Sequence, residues 1–251
     1  MRWGLLIFIF LLWASDSYSM EAYLYTKQTA QPNTSLSSAV TEAKVESALD
    51  DSLRAYLKAG SQTWASLTTP LEFYEGSRFF VGPGIQYIFP TVSLSAELRG
   101  RRNLGDSEVT WDFVGVGILE FNDRWQFPVD VITADSFFIE GFSETLFTSG
   151  IDNVTHETLA RLGLRTSLGI EGYWDVFTEP AITADRLGIY SNNTMELRFG
   201  TQVGWTWSQY SLELSARYAF SRYYRFTDFD HEYPDPQSGF RLALSFLAWT
   251  E

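Results

Sequence analysis

Apolar and polar residues alternate along the C-terminal part of the chain, from Thr194 to Tyr218, with one short break at Ser208 and Gln209. On one parity stand Met195, Leu197, Phe199, Val203, Trp205 and Trp207, and on the other Glu196, Arg198, Gly200, Gln202, Gly204 and Thr206. Because successive side chains of a strand point to opposite faces, the pattern predicts a long hairpin with one apolar and one polar face. Each arm is long enough to cross a membrane in a β-barrel, which takes about 9–11 residues.

The same alternation predicts further strands in the preceding residues. We place ten strands at 78–89, 91–101, 108–121, 125–132, 137–146, 158–173, 182–190, 195–207, 210–224 and 239–249, and residues 62–75 can add more. Single-chain bacterial barrels have even strand numbers, so the predicted fold is all-β, an antiparallel transmembrane β-barrel of 10–12 strands. The break lengths predict exterior loops at 147–157 and 225–238 and a periplasmic turn at Ser208 and Gln209. Aromatic residues at the strand ends predict two girdles, with Trp205, Trp207 and Tyr210 in the periplasmic one and Tyr218 to Tyr224 in the outer one.

The segment before these strands has a different pattern and predicts a helix. Apolar residues recur at helical spacing between Leu36 and Ala59, namely Val45, Leu49, Leu53, Tyr56 and Leu57. Charged residues follow at intervals of four, namely Glu42, Glu46, Asp50, Arg54 and Lys58. We therefore expect an N-terminal amphipathic helix that either plugs the barrel or lies in the periplasm, free or bound to another periplasmic protein. The predicted domains are a flexible segment with this helix in 20–60 and an outer-membrane β-barrel in 61–251.

The first residues predict export. Arg2 precedes a run without charge from Trp3 to Ala14, and a small polar stretch ends at Ser19. The apolar run is too short to span about 30 Å of hydrocarbon, so residues 1–19 are predicted to be a cleaved signal peptide. With a barrel behind it, this signal predicts a location in the outer membrane of a Gram-negative cell.

Composition agrees with a membrane barrel and excludes other classes. Aromatic residues make up 17% of the chain, and barrels use them in interfacial girdles. A net charge of −13 disfavours nucleic acid as a partner. The two histidines, His156 and His231, are too far apart for a local metal motif, so no metal, cofactor or small-molecule substrate is predicted. The expected partners are outer-membrane lipid and the barrel-assembly machinery, which reads C-terminal alternation such as that of Phe240, Leu242, Leu244 and Phe246.

The polar parity of each strand predicts which side chains line the lumen. These are Glu97, Arg99, Arg101, Arg161, Arg165, Glu171, Glu196, Arg198, Glu213, Arg217 and Arg241. Seven of the eleven are arginine, so the sequence predicts a mildly basic lumen in an acidic protein. Two explanations stay open, either Arg–Glu pairs that join neighbouring strands or a basic lumen that receives the acidic edge of the helix.

An export signal, a helix of about two dozen residues and a C-terminal barrel resemble the translocator domain of bacterial autotransporters. With about forty residues between the signal and the end of the helix, the chain resembles the solitary members that have no passenger. The resemblance covers 36–251 in architecture and implies a structural barrel or a narrow plugged pore, without catalysis.

Two other functions stay open as alternatives. An acidic cluster in the last exterior loop resembles the Asp and His pairs of omptin proteases, and consists of Asp228, Asp230, His231, Glu232 and Asp235. A lipid hydrolase needs a serine beside a histidine, but His156 is followed by Glu157 and Thr158. The alternatives are thus a barrel enzyme, omptin-like or lipid-hydrolysing, or a surface binding protein that uses loops 147–157 and 225–238.

Overall fold

Twelve antiparallel strands form one closed barrel in the computed structural model of this chain. The structure describes residues 20–31, 36–66, 77–103, 111–126, 134–148, 153–169, 171–187, 193–223 and 238–250. The strands are β1 (Met20–Gln31), β2 (Leu36–Ala48), β3 (Leu53–Ser66), β4 (Arg78–Ile88), β5 (Val92–Asn103), β6 (Trp111–Gln126), β7 (Ser136–Thr148), β8 (Asn153–Ser167), β9 (Gly172–Asp185), β10 (Thr194–Trp207), β11 (Tyr210–Tyr223) and β12 (Gly239–Trp249). Each strand pairs with its sequence neighbours, and β1 closes the sheet on β12.

The two faces of the barrel differ in polarity, as the alternation predicts. Leu197 and Phe199 are 42% and 49% exposed, whereas their neighbours Glu196 and Arg198 form ion pairs. The charged parity faces inward, because its side chains reach over a whole strand, as Arg217 of β11 does to Glu179 of β9. Only the concave side of a closed sheet brings alternate strands this close. The apolar outer face therefore suits lipid, and the polar face fills the lumen.

The predicted hairpin from Thr194 to Tyr218 is confirmed as β10 and β11, which pair in continuous register down to Trp207 and Tyr210. Both of these aromatic side chains are exposed at the end of the barrel where β1 begins and β12 ends, here called the termini end. Tyr218 and Phe220 are exposed toward the opposite, distal end, where their rings contact each other. Both predicted bands thus have aromatic members on the outer face. Among the described ranges, no helix has the length and apolar character needed to cross a membrane.

The predicted N-terminal helix is wrong, because Leu36–Ala48 and Leu53–Ser66 are strands β2 and β3. The charged residues Glu42, Glu46 and Lys58 face the lumen, with Glu46 opposite Tyr56 in the register. A spacing of four fits one helical turn, but it is also a multiple of two and keeps a strand's side chains on one face. The pattern was therefore ambiguous, and pairing with β1 and β4 selects the strand. No plug helix forms from these residues, and the barrel begins at β1 and not at residue 61.

A tight turn at residues 49–52 joins β2 to β3 and explains the position of Asp50. Its Oδ1 accepts hydrogen bonds from the backbone N–H groups of Ser52 and Leu53 at 2.7 and 2.6 Å. These bonds favour the charged form and lower the pKa of the Asp50 carboxyl below its usual value. An aspartate that bonds its own backbone two residues on is a common turn-forming device.

We expect Asp50→Ala to destabilise the folded barrel at neutral pH. The pKa of Asp50 is lowered on folding, so its contribution is present above the unfolded pKa and is lost as the pH falls through the folded value. The difference in urea midpoint between the wild type and Asp50→Ala should therefore shrink as the pH falls below about 4, the ordinary pKa of an aspartate. Asp50→Asn keeps an acceptor oxygen and should retain most of the stability. A wild-type advantage over Asp50→Ala that does not shrink as the pH is lowered through this acidic range would contradict the assignment.

The middle strands differ in number and limits from those predicted. The predicted break at 122–124 lies inside β6, so 125–132 is not a separate strand. The predicted strand at 182–190 is β9, which runs from Gly172 to Asp185. Nine strands lie between 78 and 249, and β1, β2 and β3 complete the twelve. Residues 153–157 of the predicted loop 147–157 belong to β8, while the signal segment 1–19 and residues 224–237 lie outside the described residues.

Inward-facing glycines pair with aromatic residues on neighbouring strands. The pairs are Tyr56 with Gly84, Phe80 with Gly60, Phe138 with Gly163, Phe177 with Gly200 and Tyr173 with Gly204. A Cβ built on Gly84 would lie 2.4 Å from the Tyr56 ring, so only glycine leaves room for the ring to lie over its backbone. Four of the five rings in turn carry an arginine guanidinium, for example Arg99 over Phe80 at 4.8 Å. The glycines thus set the positions of the lumen cations.

Candidate functional site in the lumen

The lumen is lined by charges of both signs. The inward parity carries the cations Lys27, Lys44, Arg54, Lys58, Arg78, Arg99, Arg101, Arg124, Arg161, Arg165, Arg198, Arg217 and Arg241 and the acids Glu21, Glu42, Glu46, Glu97, Asp112, Glu120, Glu140, Glu144, Glu157, Asp175, Glu179, Asp185, Glu196 and Glu213. The two signs nearly balance. The predicted mildly basic lumen is therefore not what the structure shows, because additional strands contribute acids.

Glu179 of β9 is the centre of the most highly connected group. Its side chain is 0% exposed and accepts hydrogen bonds from Arg161, Arg198 and Arg217 at distances between 2.6 and 3.2 Å. Arg161 and Arg217 also lie over the Phe177 ring, at 4.5 and 5.4 Å from its centroid. One carboxylate thus joins four consecutive strands, from β8 to β11. A charged side chain without solvent exposure inside the lumen means that the lumen is packed closed beside it.

The network continues from β10 to β12 through a second carboxylate. Glu196 accepts hydrogen bonds from Arg198 Nε at 2.6 Å and from both terminal nitrogens of Arg241 at 3.1 and 2.7 Å. Ser221 Oγ adds a further donor at 2.9 Å. Arg198 therefore bridges Glu179 and Glu196, and the two carboxylates form one continuous group. Such charge-assisted, multiply bonded pairs are the stronger hydrogen bonds of proteins.

Toward the termini end, Arg165 and Asp175 form a bidentate pair, with both N–O distances at 2.6 Å. The Arg165 guanidinium also stacks on the Tyr173 ring at 3.8 Å, and the Tyr173 hydroxyl donates to Glu213. On the opposite wall, Glu97 accepts from Tyr56 at 2.8 Å and pairs with Arg99. Each of these two walls of the lumen therefore has its own network of hydrogen bonds and ion pairs.

Two open spaces lie in the lumen between β1 and β7. A cavity of about 370 Å³ is bordered by Tyr23, Lys44, Glu46, Arg54 and Gln86, and a second of about 320 Å³ by Gln62, Arg78, Phe80, Arg99 and Arg101. Glu42 and Lys58 border both cavities, and the Lys58 Nζ lies 2.9 Å from a carboxylate oxygen of Glu42. This ion pair thus stands where the two spaces meet.

The architecture is shared with solved membrane proteins. The β domain of the Bordetella autotransporter BrkA superposes with a TM-score of 0.52 at 14% identity, covering 91% of this chain and 98% of that one. An outer membrane channel from Pseudomonas putida F1 gives a TM-score of 0.52 at 10% identity, covering 92% and 95%. The fold is that of an outer-membrane β-barrel. The predicted likeness to an autotransporter translocator is thereby confirmed for the fold. No protein-family model matches the chain, and no curated protein matches it in sequence.

The barrel fold and its apolar outer face support a location in the outer membrane. Of the eleven residues predicted to line the pore, ten face the lumen. Glu171 does not, because β8 ends at Ser167 and Glu171 lies in the following turn with a φ of 67°. The predicted strand 158–173 extended through this turn because Glu171 has the same parity in the sequence as Arg161 and Arg165.

Several central residues of the barrel were missed in the sequence. Glu179 and Asp175 lie in β9, whose predicted limits were 182–190. Pro180 is uncommon within a strand, and it obscured the alternation of Asp175, Phe177 and Glu179 against Trp174 and Val176. Glu42 and Lys58 were assigned to the helix. The period-two signal was present at all these positions, but it competed with a proline in one segment and a helical spacing in the other.

Proposed function

We propose that the barrel is a narrow pore whose lumen is sealed on one side by ion pairs and restricted on the other by Glu42 and Lys58. The observation that carries this proposal is the pair of cavities that meet at this salt bridge. Side chains fill the interior of a barrel of about eight strands, whereas 16–18 strands leave an aqueous channel, so a lumen of twelve strands lies between these two cases. The sealed half holds the shape of the barrel, and the open half supplies the route.

The opposite charges of Glu42 and Lys58 bear on what passes. A cation or an anion that reaches the constriction meets one attractive and one repulsive partner, so the pair selects by size more than by sign. This function requires no catalytic group in the lumen. The plug helix that the autotransporter resemblance implies finds no support in β2 and β3, because these residues form the wall and not a helix that threads it.

We expect the double variant Glu42→Ala and Lys58→Ala to raise the single-channel conductance of the full chain in planar bilayers. Removal of both charges avoids an unpaired charge and joins the two cavities. The matched control is Arg165→Ala with Asp175→Ala, which removes an inward ion pair that borders neither cavity. If the control raises conductance as much as the test variant, or if neither changes a closed baseline, the proposed route is wrong.

A surface binding role for the distal loops is the second candidate from the sequence. Its residues at 149–152 and 224–237 lie outside the described part of the chain, as does the acidic cluster with His231. Nothing in the described residues favours it over the pore. The omptin-like prediction likewise stays a prediction.

A further inference from the structure

Four polar side chains form a cluster on the outer, lipid-facing surface of β7 and β8. Thr145 lies opposite His156, and Ser143 lies opposite Thr158, in the strand register. All four are on the parity opposite the inward Glu140 and Arg161, which lie opposite one another in the same ladder and pair in the lumen. Polar and ionisable groups on a membrane-facing surface are unfavourable, so a group of them there points to function.

The four side chains are joined in one hydrogen-bonded chain. His156 Nδ1 lies 2.8 Å from Thr145 Oγ1, and His156 Nε2 lies 2.8 Å from Thr158 Oγ1. Ser143 Oγ contacts the Thr158 hydroxyl at 3.1 Å. A single imidazole tautomer satisfies both ring nitrogens, with Nδ1–H donating to Thr145 and Nε2 accepting from Thr158. A hydroxyl within hydrogen-bond reach of a histidine that a third group orients is the arrangement of an activated nucleophile.

An apolar groove of about 450 Å³ begins at this cluster and crosses the outer face of the barrel. Ser143 and Thr145 border one end of the groove, and Leu53 of β3 borders the other. One side follows the register from Ser143 through Leu119, Leu94 and Tyr87 to Leu53. A second, parallel row runs from Thr145 to Gly117 on the neighbouring strand. Gly117 has no side chain, and a Cβ built on it would meet no atom within 4 Å, so the groove has free space at this point. Four strand spacings give the groove a length of about 19 Å, which suits an extended acyl chain.

We propose that this cluster hydrolyses acyl esters of membrane lipids, with the acyl chain in the groove. His156 is three residues from the start of β8 at Asn153, toward the distal end of the barrel. Its position on the outer face makes lipid the substrate class that reaches it. The proposal departs from the sequence-based expectation of no catalysis, which rested on the lack of a serine next to His156. The register supplies Thr145 and Ser143, whereas the Thr158 hydroxyl lies two residues from His156 on the same face of β8.

The reaction has two balanced steps. Thr158 Oγ1 attacks the ester carbonyl carbon while its proton moves to His156 Nε2, and the carbon–alkoxy bond breaks as that proton is given to the leaving alcohol. Water then attacks the acyl-threonine carbonyl, its proton passes through His156 to Thr158, and a free fatty acid leaves. Thr158 and His156 are the catalytic residues, and Thr145 is a positioning residue that holds the ring through Nδ1.

The test uses the full chain, purified in dodecyl maltoside and mixed with phosphatidylethanolamine, with fatty acid release measured by mass spectrometry. Thr158→Val and His156→Gln should each reduce release by about 1,000-fold, and the double variant should fall no further, because the two groups act as a unit. Thr158→Ser keeps a hydroxyl group at this position and should retain the activity. The control is Thr155→Val, an inward-facing change on the same strand that should leave release unchanged. Heat-dependent gel migration checks that every variant remains a folded barrel.

Two further variants separate catalysis from a structural effect. Thr145→Val should lower kcat without raising KM, and Thr145→Ser should restore it. Gly117→Leu fills open space in the groove and should reduce cleavage of p-nitrophenyl palmitate while sparing p-nitrophenyl butyrate. Absence of fatty acid release by the wild type above the Thr158→Val background overturns the proposal. Loss of release in Ser143→Ala with full activity in Thr158→Val also overturns it, since the nucleophile would then be Ser143.

Discussion

Glu179→Gln is expected to destabilise the barrel by about 3–5 kcal/mol, the range for breaking a buried ion pair by removal of one partner. The glutamine keeps the shape and one acceptor oxygen, but it leaves Arg161, Arg198 and Arg217 close together without their shared counter-charge. The three guanidinium groups are only 11–15% exposed, so water screens their repulsion poorly. Guanidinium-induced unfolding in detergent, followed by the loss of heat-resistant gel migration, measures the change.

The matched control for this variant is Glu157→Gln. Glu157 is also an inward-facing glutamate, on β8, but it is not among the three-arginine group at Glu179. We expect a much smaller effect, because removal of this carboxylate leaves no cluster of arginines behind. If the two variants destabilise the barrel equally, the loss of any carboxylate in the lumen has the same effect as the loss of Glu179. The central role assigned to Glu179 would then be wrong. Raised salt should leave most of the difference in stability between the wild type and Glu179→Gln in place, since guanidinium groups that are only 11–15% exposed are screened weakly.

Gly84→Ala is expected to destabilise the barrel by about 1–3 kcal/mol, the usual effect of overpacking. The new methyl group would lie 2.4 Å from the Tyr56 ring, so the ring must move away from the strand. That movement also threatens the 2.8 Å hydrogen bond from the Tyr56 hydroxyl to Glu97, and with it the pairing of Glu97 with Arg99. The same unfolding measurement applies.

Gly117→Ala provides the comparison, because the chemical change is identical and the site faces outward with no atom within 4 Å of the new methyl group. Its effect should lie near zero, or stabilise by up to about 1 kcal/mol through reduced freedom of the unfolded chain. Gly84→Ala should cost less stability when it is introduced into Tyr56→Ala than when it is introduced into the wild type, because the ring that the methyl group would meet is then absent. If Gly84→Ala is as well tolerated as Gly117→Ala, the ring is not held against the glycine in the way described.

The lumen and the outer face place different demands on the same strands. The inward parity binds the wall together through shared carboxylates such as Glu179 and Glu196, which connect strands that are not hydrogen-bonded to each other. The outward parity is then free to carry groups unrelated to stability, and on β7 and β8 it carries the cluster around His156. A barrel with a largely filled lumen thus has a rigid wall on which a lipid-facing site can be positioned accurately.

Alternation in the sequence was sufficient for the fold class, for the hairpin of β10 and β11, and for the inward direction of residues such as Arg198 and Arg217. These features are local, because the period of two fixes the face of each side chain once a strand exists. The same local signal failed between Leu36 and Ala59, where a spacing of four satisfies both a helix and a strand. Only pairing with β1 and β4, and closure of the sheet on β12, decides between them.

Which side chains meet was decided by the tertiary structure. Glu179 and its three arginines are 18 to 38 residues apart in sequence, and the register of four strands brings them together. His156 contacts Thr145 of the neighbouring strand, 11 residues earlier in the chain, so the residues next to His156 in the sequence do not predict this contact. The sequence determined the direction of each side chain, since direction follows from local backbone geometry. The structure determined the partners, because strand register depends on the closed sheet as a whole.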